Sequence, residues 1–536
     1  MKSEMGTFTR TFNGIECPIC KVKISGNIGE HIRNVHGEEE FKRAILKAKE
    51  NGMPDPEIGE IFGITFRQLE KIITEAYGIN ISVLKKPKKI KYWALKNFKE
   101  EATTVWSFKQ RGDWATHDGR YRGNWSPYIP RNVILKYSKP GDVVLDYFVG
   151  GGTTAIEAKL LGRRCIARDI NPAAIGLTKE NLKFIPPRTF QDNYEIFEPE
   201  VSVGDARDLS DIPDEGIDLI CAHPPYAGII NYSSKVEGDL SKLSIEDFLK
   251  EMEKVAKESY RVLKPGGKCA ILIGDTRKRK HVIPIGFKTI KVFLNAGFNL
   301  RELVIKRQHN CKTTGFWYNR SIKYNFLLLA HEYLPIFEKP NPDDIVTVEN
   351  DKHKDKLIPT VDRPNLGKID NFETTTVWAF PDKGFENYVD TNVIKRYCNN
   401  NYLIVGIHTK DGAKNQYTIK VDKKYDLLYL KSPFLSEVTN KSIIDEYEYL
   451  NKVKAVLSSI LVEKRGYIVI ETQDIRINGN ISPIALELAE SLQDLGFLWL
   501  KEIVIATTEN HQYRHAESGD YLRISHKYLL VYEVVK

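Results

Sequence analysis

The chain contains no apolar run approaching the ~18 residues that a membrane-spanning helix needs, and its first ten residues, MKSEMGTFTR, lack the apolar core of a secretory signal. Cysteine is scarce. There are seven in 536 residues, an odd number, scattered except for Cys17 and Cys20, which excludes a disulfide framework as the basis of the fold. A decisive charge of one sign is also lacking. Lys and Arg number 79 against 71 Asp and Glu, for a net charge of +8 and a pI of about 8.8. That balance agrees with a polyanionic partner without demanding one. These absences predict a cytoplasmic chain with no membrane partner. With 42% hydrophobic and 28% charged residues the composition is globular, and the length predicts several domains rather than one core.

The clustered features begin near the start. Cys17-Pro-Ile-Cys20 is followed by His31 and His36, a C-x2-C-x10-H-x4-H spacing. Zinc takes four such ligands in a tetrahedron. The tight Cys turn offers two thiolates, and two histidines five residues apart on a short helix offer two imidazoles on one face. A structural Zn2+ site at Cys17, Cys20, His31 and His36 is expected, although the central spacing is two residues shorter than in the usual finger. Residues 39–78 read as three short helices, with Asp55 and Thr65 as caps. The string DPEIGEIFGITFRQLEKI resembles a helix-turn-helix, in which the third helix would present Arg67, Gln68 and Lys71 to a major groove. Lys85, Lys86, Lys88, Lys89 and Lys91 around Pro87 suit a solvated linker or a phosphate contact equally.

The densest signal is GDVVLDYFVGGGTTAIEAKLLGRRCIARDINPAAI, residues 141–175. A short apolar strand ends at Asp146, a glycine turn follows at 150–152, Thr153 opens an amphipathic helix, and a second strand ends at Asp169. This is the opening of a doubly wound sheet, whose glycines admit a ligand close to the backbone and whose second-strand acid can hold ribose hydroxyls. Downstream, the strand in IDLICAHPPYAG ends in His223-Pro224-Pro225-Tyr226. Together D-x-F-x-G-x-G-T-T and H-P-P-Y resemble motifs I and IV of the amino-group (N6-adenine or N4-cytosine) DNA methyltransferases, with Tyr147 for the usual proline, Gly151 for serine, and His223 for aspartate, asparagine or serine.

The resemblance implies a seven-stranded, Rossmann-like α/β fold binding S-adenosylmethionine. By it, Asp146, Phe148, Gly150, Gly152 and Thr153 line the methionine end, Asp169 holds the ribose and Asp205 faces the adenine. The segment 122–142 resembles motif X, so that Trp125, Pro127 and Asn132 cover the cofactor. His223, Pro224, Pro225 and Tyr226 would form the catalytic floor. An exocyclic amine is a poor nucleophile because its lone pair is delocalised into the ring. Two acceptors that bind its hydrogens, here a neutral imidazole and the Pro224 carbonyl, would free that lone pair, while Tyr226 stacks on the flipped base. Activity is then expected to fall below the pKa of the histidine.

The carboxyl half repeats the first. TTVWSF at 103–108 recurs as TTVWAF at 375–380, and Asn132-Val-Ile as Asn392-Val-Ile. Asp275 precedes Pro284 by nine residues, as Asp474 precedes Pro483, and Gly297 and Gly496 follow those prolines by thirteen. LLLAHEY matches YLLVYEV at the end. So many shared offsets mark a duplication. In the repeat, Lys431-Ser-Pro-Phe434 replaces His-Pro-Pro-Tyr, and lysine cannot accept a hydrogen bond. The expected organisation is a zinc finger at 1–37, a helix-turn-helix at 38–84, a catalytic domain at 92–337, a linker at 338–369, and a degenerate, non-catalytic copy at 370–536 paired with the first as an intrachain pseudo-dimer, leaving a monomer as one option. The expected partner is DNA, in the manner of a restriction-modification enzyme. RNA remains an alternative, and a non-catalytic DNA-binding regulator is the rival from another class.

Overall fold

Hydrophobic alternation along the strands decides the layering. In a computed structural model of the chain, Val144 and Leu219 face one side of the first sheet while their neighbours Leu145 and Ile220 face the other, and all four are fully buried. The structure describes residues 10–535 apart from 12–13, 25–26, 52, 54, 66–67, 70–71, 74–89, 96–97, 120, 122, 188–194, 227–235, 310–320, 322, 343–356, 365, 367–371, 410–422, 436–444, 461 and 510–520.

The first large sheet is built from β1 (Val105–Ser107), β2 (Val143–Asp146), β3 (Arg164–Asp169), β4 (Glu200–Val203), β5 (Ile217–Ala222), β6 (Leu263–Ile271), β7 (Asn299–Arg307) and β8 (His331–Glu338). Their order across the sheet is β1-β7-β8-β6-β5-β2-β3-β4, with β8 antiparallel to both neighbours and the remaining pairs parallel. The predicted seven-stranded sheet is present, with β1 added as an eighth strand at its edge. Helices α1 (Tyr128–Tyr137), α2 (Thr153–Leu160) and α3 (Pro172–Asn181) cover one face, and α4 (Ile245–Val262) and α5 (Ile285–Asn295) the other. Strand order reverses between β2 and β5, so the crevice beyond their carboxyl ends is where a doubly wound sheet takes a ligand. Pro265-Gly266-Gly267, which reads as a turn, lies inside β6, where Gly266 has φ +75°.

The second sheet contains β9 (Leu357–Val361), β10 (Val377–Phe380), β11 (Tyr402–Thr409), β12 (Tyr425–Lys431), β13 (Val462–Thr472), β14 (Leu498–Thr508) and β15 (His526–Val534), in the order β9-β11-β12-β13-β15-β14-β10. The six strands from β11 to β10 repeat the order and direction of β2-β5-β6-β8-β7-β1. The fold is therefore duplicated. What differs lies at one edge. Between β2 and β5 the first half inserts two strands and two helices, whereas only residues 410–424 separate β11 from β12, and the antiparallel β9 fills the edge instead.

The two halves interlock reciprocally. Arg277, on a hairpin of the first half, donates to the Lys501 carbonyl and to Glu502 Oε2 at 2.9 and 2.5 Å. Arg476, on the matching hairpin of the second, donates to the Arg301 carbonyl and to Glu302 Oε2 at 2.8 and 2.5 Å. His331 Nδ1 lies 2.9 Å from Thr376 Oγ1, and His526 Nδ1 lies 2.9 Å from Thr104 Oγ1. These pairs correct the sequence match at the end of each half. HEYL at 331–334 corresponds to HKYL at 526–529, not LLLAHEY to YLLVYEV, because β-register rather than local apolar content fixes the equivalence.

In the amino-terminal module, strands at 10–11, 14–16 and 23–24 precede the helix Ile28–His36, and helices Glu38–Glu50 and Asp55–Phe62 follow. Cys17, Ile32, Phe41, Ile58, Phe62 and Leu69 share one apolar cluster, so the cysteine turn and the helices bury a common core. Arg67 and Lys71 lie outside the described residues. Gln68 Oε1 accepts from the Thr65 amide at 2.8 Å and Thr65 Oγ1 accepts from the Gln68 amide at 3.3 Å. That is a capping box, which commits the Gln68 carbonyl oxygen to the helix start rather than to a base.

Candidate active site

The crevice at the reversal point is an open cleft walled by the end of β3 and the loops that follow β2, β3, β4 and β5. Five of the ten predicted cofactor residues line it: Trp125, Phe148, Gly150, Asp169 and Asp205. Asp169 ends β3 and accepts from the Gly150 amide at 3.0 Å and from the Asn171 amide at 2.9 Å, so it ties the glycine turn to the start of α3. Burial pushes its carboxyl up to about 6. Asp205 follows β4. Burial would raise its pKa, but the Arg207 guanidinium, 2.6 Å away, outweighs burial and holds it below the usual range.

The other five stand behind the wall, which corrects their expected placement. Asp146 is 2% exposed, and its Oδ1 accepts from the Phe148 amide at 3.0 Å, shaping the turn from beneath. Burial raises it to about 7. Gly152 takes φ +90° as the cap of α2, where a Cβ would lie 3.0 Å from Thr178 Cγ2, and the Thr153 that follows is buried. Pro127 caps α1. Asn132 is fully buried and accepts from the Glu101 amide at 2.8 Å while donating to the Tyr128 carbonyl at 2.8 Å. Asn132 therefore fastens the segment before β1 to α1. Motif spacing places a residue along the chain, but the helix phase decides which way its side chain turns.

The loop before α1 forms the roof of the cleft, through Tyr121, Gly123, Asn124 and Trp125. It is pinned by a buried carboxylate. Glu157 on α2 accepts from Trp114 Nε1 at 2.6 Å and from Arg131 Nη1 at 2.9 Å, and it lies 2.7 Å from His117 Nε2.

At the end of β5, His223 and Pro225 line the cleft, and Pro224 is buried behind them. The imidazole stacks on Trp125, with centroids 5.6 Å apart and planes at 23°. Its Nε2 is 3.0 Å from the Tyr226 hydroxyl, which donates to Glu332 Oε1 at 2.8 Å. Lys306 Nζ donates to Glu332 Oε2 at 2.8 Å. Burial lowers the His223 pKa to about 4, with Lys306 and Arg111 adding to the fall, while Glu332 and a hydrogen bond to the Gly123 backbone oppose it. Burial would raise Glu332, but Lys306 prevails and holds it down to about 2. Sequence reasoning missed Glu332 and Lys306. They come from β8 and β7, and Glu332 lies 106 residues from Tyr226 along the chain, so no local motif signals them.

In the amino-terminal module, Cys17 Sγ lies 3.7 Å from His36 Nε2 and Cys20 Sγ 3.3 Å from His31 Nε2. The four ligand atoms all fall within 4.8 Å of one another. Two thiolates and two imidazoles at that separation suit tetrahedral Zn2+.

A doubly wound sheet of this order, with an acid closing its second strand and H-P-P-Y closing β5, defines the S-adenosylmethionine-dependent methyltransferase class. The chain belongs to the DNA methylase family of N6/N4 methyltransferases, whose model matches residues 23–180 and 217–424. It is similar to a tRNA (guanine(10)-N2)-dimethyltransferase of Methanothermobacter thermautotrophicus, 38% identical over 130 residues, which make up 24% of this chain and 34% of the relative. It also resembles the type II methyltransferase M.MthZI of the same organism, 31% identical over 164 residues, or 27% of this chain and 46% of the relative. The chain thus spans less than half the length of either. A SAM-dependent methyltransferase of Methanosarcina mazei aligns with 39% of this chain and 97% of its own length, at 17% identity and a TM-score of 0.27.

Proposed function

We propose that the first half methylates an exocyclic amino group of a base in DNA, adenine N6 or cytosine N4, and that the second half is non-catalytic. The observation that carries the reading is the position of His223, neutral and stacked at the end of β5, on the wall of the same cleft as Asp169 and Gly150. S-adenosylmethionine, when bound, supplies an electrophilic methyl group. The residues that would hold it are Asp169 at the ribose, Asp205 at the adenine, and Phe148 and the Gly150 turn at the methionine end, with Asp146, Gly152, Thr153, Pro127 and Asn132 shaping the walls from behind. His223 accepts one amine hydrogen and the Pro224 carbonyl the other. Between them they localise the lone pair that would form the new N–C bond as the methyl's bond to sulfur breaks and a neutral thioether departs, and the nitrogen's surplus proton would pass to the accepting His223 imidazole. Tyr226 offers its ring to the base.

The reading of the second half is supported by its spacing, since only residues 410–424 separate β11 from β12, where the first half has β3 and β4 with Asp169 and Asp205 at and beyond their ends. Its Lys431 lies 2.6 Å from Asp390 and 3.8 Å from Glu471, filling the place of His223 with an ion-pair cluster.

DNA is favoured by the family description and by the type II relatives. The 38% identity to a tRNA-modifying enzyme keeps RNA as a second substrate class. The test is transfer of labelled methyl to duplex DNA and to tRNA, followed by mass spectrometry of the nucleosides. N6-methyl-2′-deoxyadenosine or N4-methyl-2′-deoxycytidine in the DNA is expected. Methylation of RNA alone reassigns the substrate, and none of either overturns the proposal.

Cys17, Cys20, His31 and His36 would hold one structural Zn2+ per chain. Metal analysis of the full chain is expected to find it, and Cys17→Ser with Cys20→Ser to lose it. In that variant hydrogen exchange should quicken across residues 28–62 while the two large sheets stay protected, because binding energy here is folding energy. Unchanged protection would remove the structural role.

A further inference from the structure

Glu332 and Lys306 sit beside the candidate active site, yet no motif contains them. They form a chain, Lys306–Glu332–Tyr226–His223, with contacts of 2.8, 2.8 and 3.0 Å. A Cβ at Gly274 would lie 3.2 Å from Tyr226 Cε2, so the ring is closely packed against the end of the β6 crossover.

The duplication separates what the fold needs from what it does not. Asp275 and Tyr333 recur as Asp474 and Tyr528, Glu302 as Glu502, and His331 as His526. All of these brace the architecture, and both halves keep them. The four members of the chain are each replaced. His223 becomes Lys431 and Tyr226 becomes Phe434. By the β7–β8 and β14–β15 registers, Lys306 becomes Ala506 and Glu332 becomes Lys527. A set that one half keeps whole and the other loses whole, on the same framework, serves the site rather than the fold.

The chemistry of the set follows from proton counting. Lys306 keeps Glu332 ionised, so Glu332 can only accept. Tyr226 gives it its single hydroxyl hydrogen, so toward His223 the phenol oxygen can only accept in turn. Along this chain the ring proton faces the Tyr226 oxygen from Nε2, which leaves Nδ1 as the ring's lone pair, in competition with the Gly123 backbone carbonyl that also bonds the ring. We propose that Glu332, held by Lys306 and acting through the Tyr226 hydroxyl, is a positioning residue that fixes the His223 tautomer, so that Nδ1 is the acceptor for the substrate amine. This rests on the acceptor role of His223 given above. It assigns the Tyr226 hydroxyl a task distinct from the stacking that its ring provides. The charged or titratable groups facing the imidazole are Tyr226, Glu332, Lys306 and Arg111.

The test uses the full chain labelled with 15N-histidine, with the His223 signals assigned by their loss in His223→Phe. Wild type is expected to show a protonated Nε2 and a pyridine-type Nδ1. Tyr226→Phe, which keeps the ring, and Glu332→Gln should convert this to a tautomer mixture and lower kcat roughly tenfold or more with little change in KM. The acid limb of kcat should move in opposite senses, to lower pH in Glu332→Gln, where an attracting charge is gone, and to higher pH in Lys306→Met, where a repelling one is gone. A protein packed less well would lose activity without such opposed shifts. A wild-type Nδ1–H tautomer, or variants with wild-type signals and pH limbs, overturns the relay. Full activity in His223→Phe overturns the acceptor role itself, so the two failures are told apart.

Discussion

His223→Phe is expected to lower the rate of methyl transfer by roughly 10²–10⁴-fold, the range typical of a positioned proton acceptor, while cofactor affinity stays close to wild type. Phenylalanine keeps the ring stacked on Trp125 but has no lone pair. The groups proposed for the cofactor, Asp169 at the end of β3 and Asp205 just beyond β4, are anchored by their own partners, the Gly150 and Asn171 amides and Arg207. Equilibrium titration with cofactor and single-turnover transfer measure the two quantities separately. An undiminished single-turnover rate would remove His223 from the chemistry. The same histidine sets the pH behaviour. Only the neutral ring accepts, and its pKa is lowered from 6.5 to about 4, so the acid limb of kcat should fall near pH 4 rather than near neutrality. The linkage has a definite sign. The unfolded chain takes up a proton near pH 6.5 that the folded site refuses until about pH 4. His223 therefore makes the protein progressively less stable as pH falls through that window.

The second large effect concerns the joint between the halves. Arg476→Met leaves the fully buried Glu302 carboxylate without its guanidinium, and Arg277→Met does the same to Glu502. Removing one partner of a buried pair costs about 3–5 kcal/mol, which lowers a melting temperature by roughly 2–4 °C per kcal/mol in a domain of this size. Each substitution should loosen the half to which it does not belong. Hydrogen exchange is expected to quicken along β7 in Arg476→Met and along β14 in Arg277→Met. An orphaned buried carboxylate avoids its charge by protonating, so both losses should shrink as pH is lowered. Faster exchange confined to the half carrying the substitution would refute the reciprocal joint.

Much of the molecule is legible along the chain, and the reason is locality. The glycine turn at 150–152 needs positive φ at Gly150 and Gly152, and a strand, turn and capped helix must follow in sequence. Asp169 ends β3 and Asp205 lies just beyond β4, so strand spacing carries both to one edge. The four Cys and His side chains that would hold zinc sit on one turn and one helix. Where the placement depends on a second element, the sequence is silent or misleads. Asn132 belongs to the right segment yet faces away from the cleft. Asp146 belongs to the right motif yet lies beneath the turn. The apolar end strands look alike in several alignments, and only their hydrogen-bonded register shows that His331 corresponds to His526.

By itself the sequence determined the class of fold, its duplication, and the two motifs at the ends of β2 and β5. Each of these is written in residues close enough along the chain to constrain one another through a turn, a strand or a helix. The tertiary structure decided what surrounds His223. Its depressed pKa, its stack on Trp125 and its line through Tyr226 to Glu332 and Lys306 arise from burial and from strands that meet only in the folded sheet. Desolvation and the pairing of charges are properties of a position in space, and no spacing along the chain encodes them.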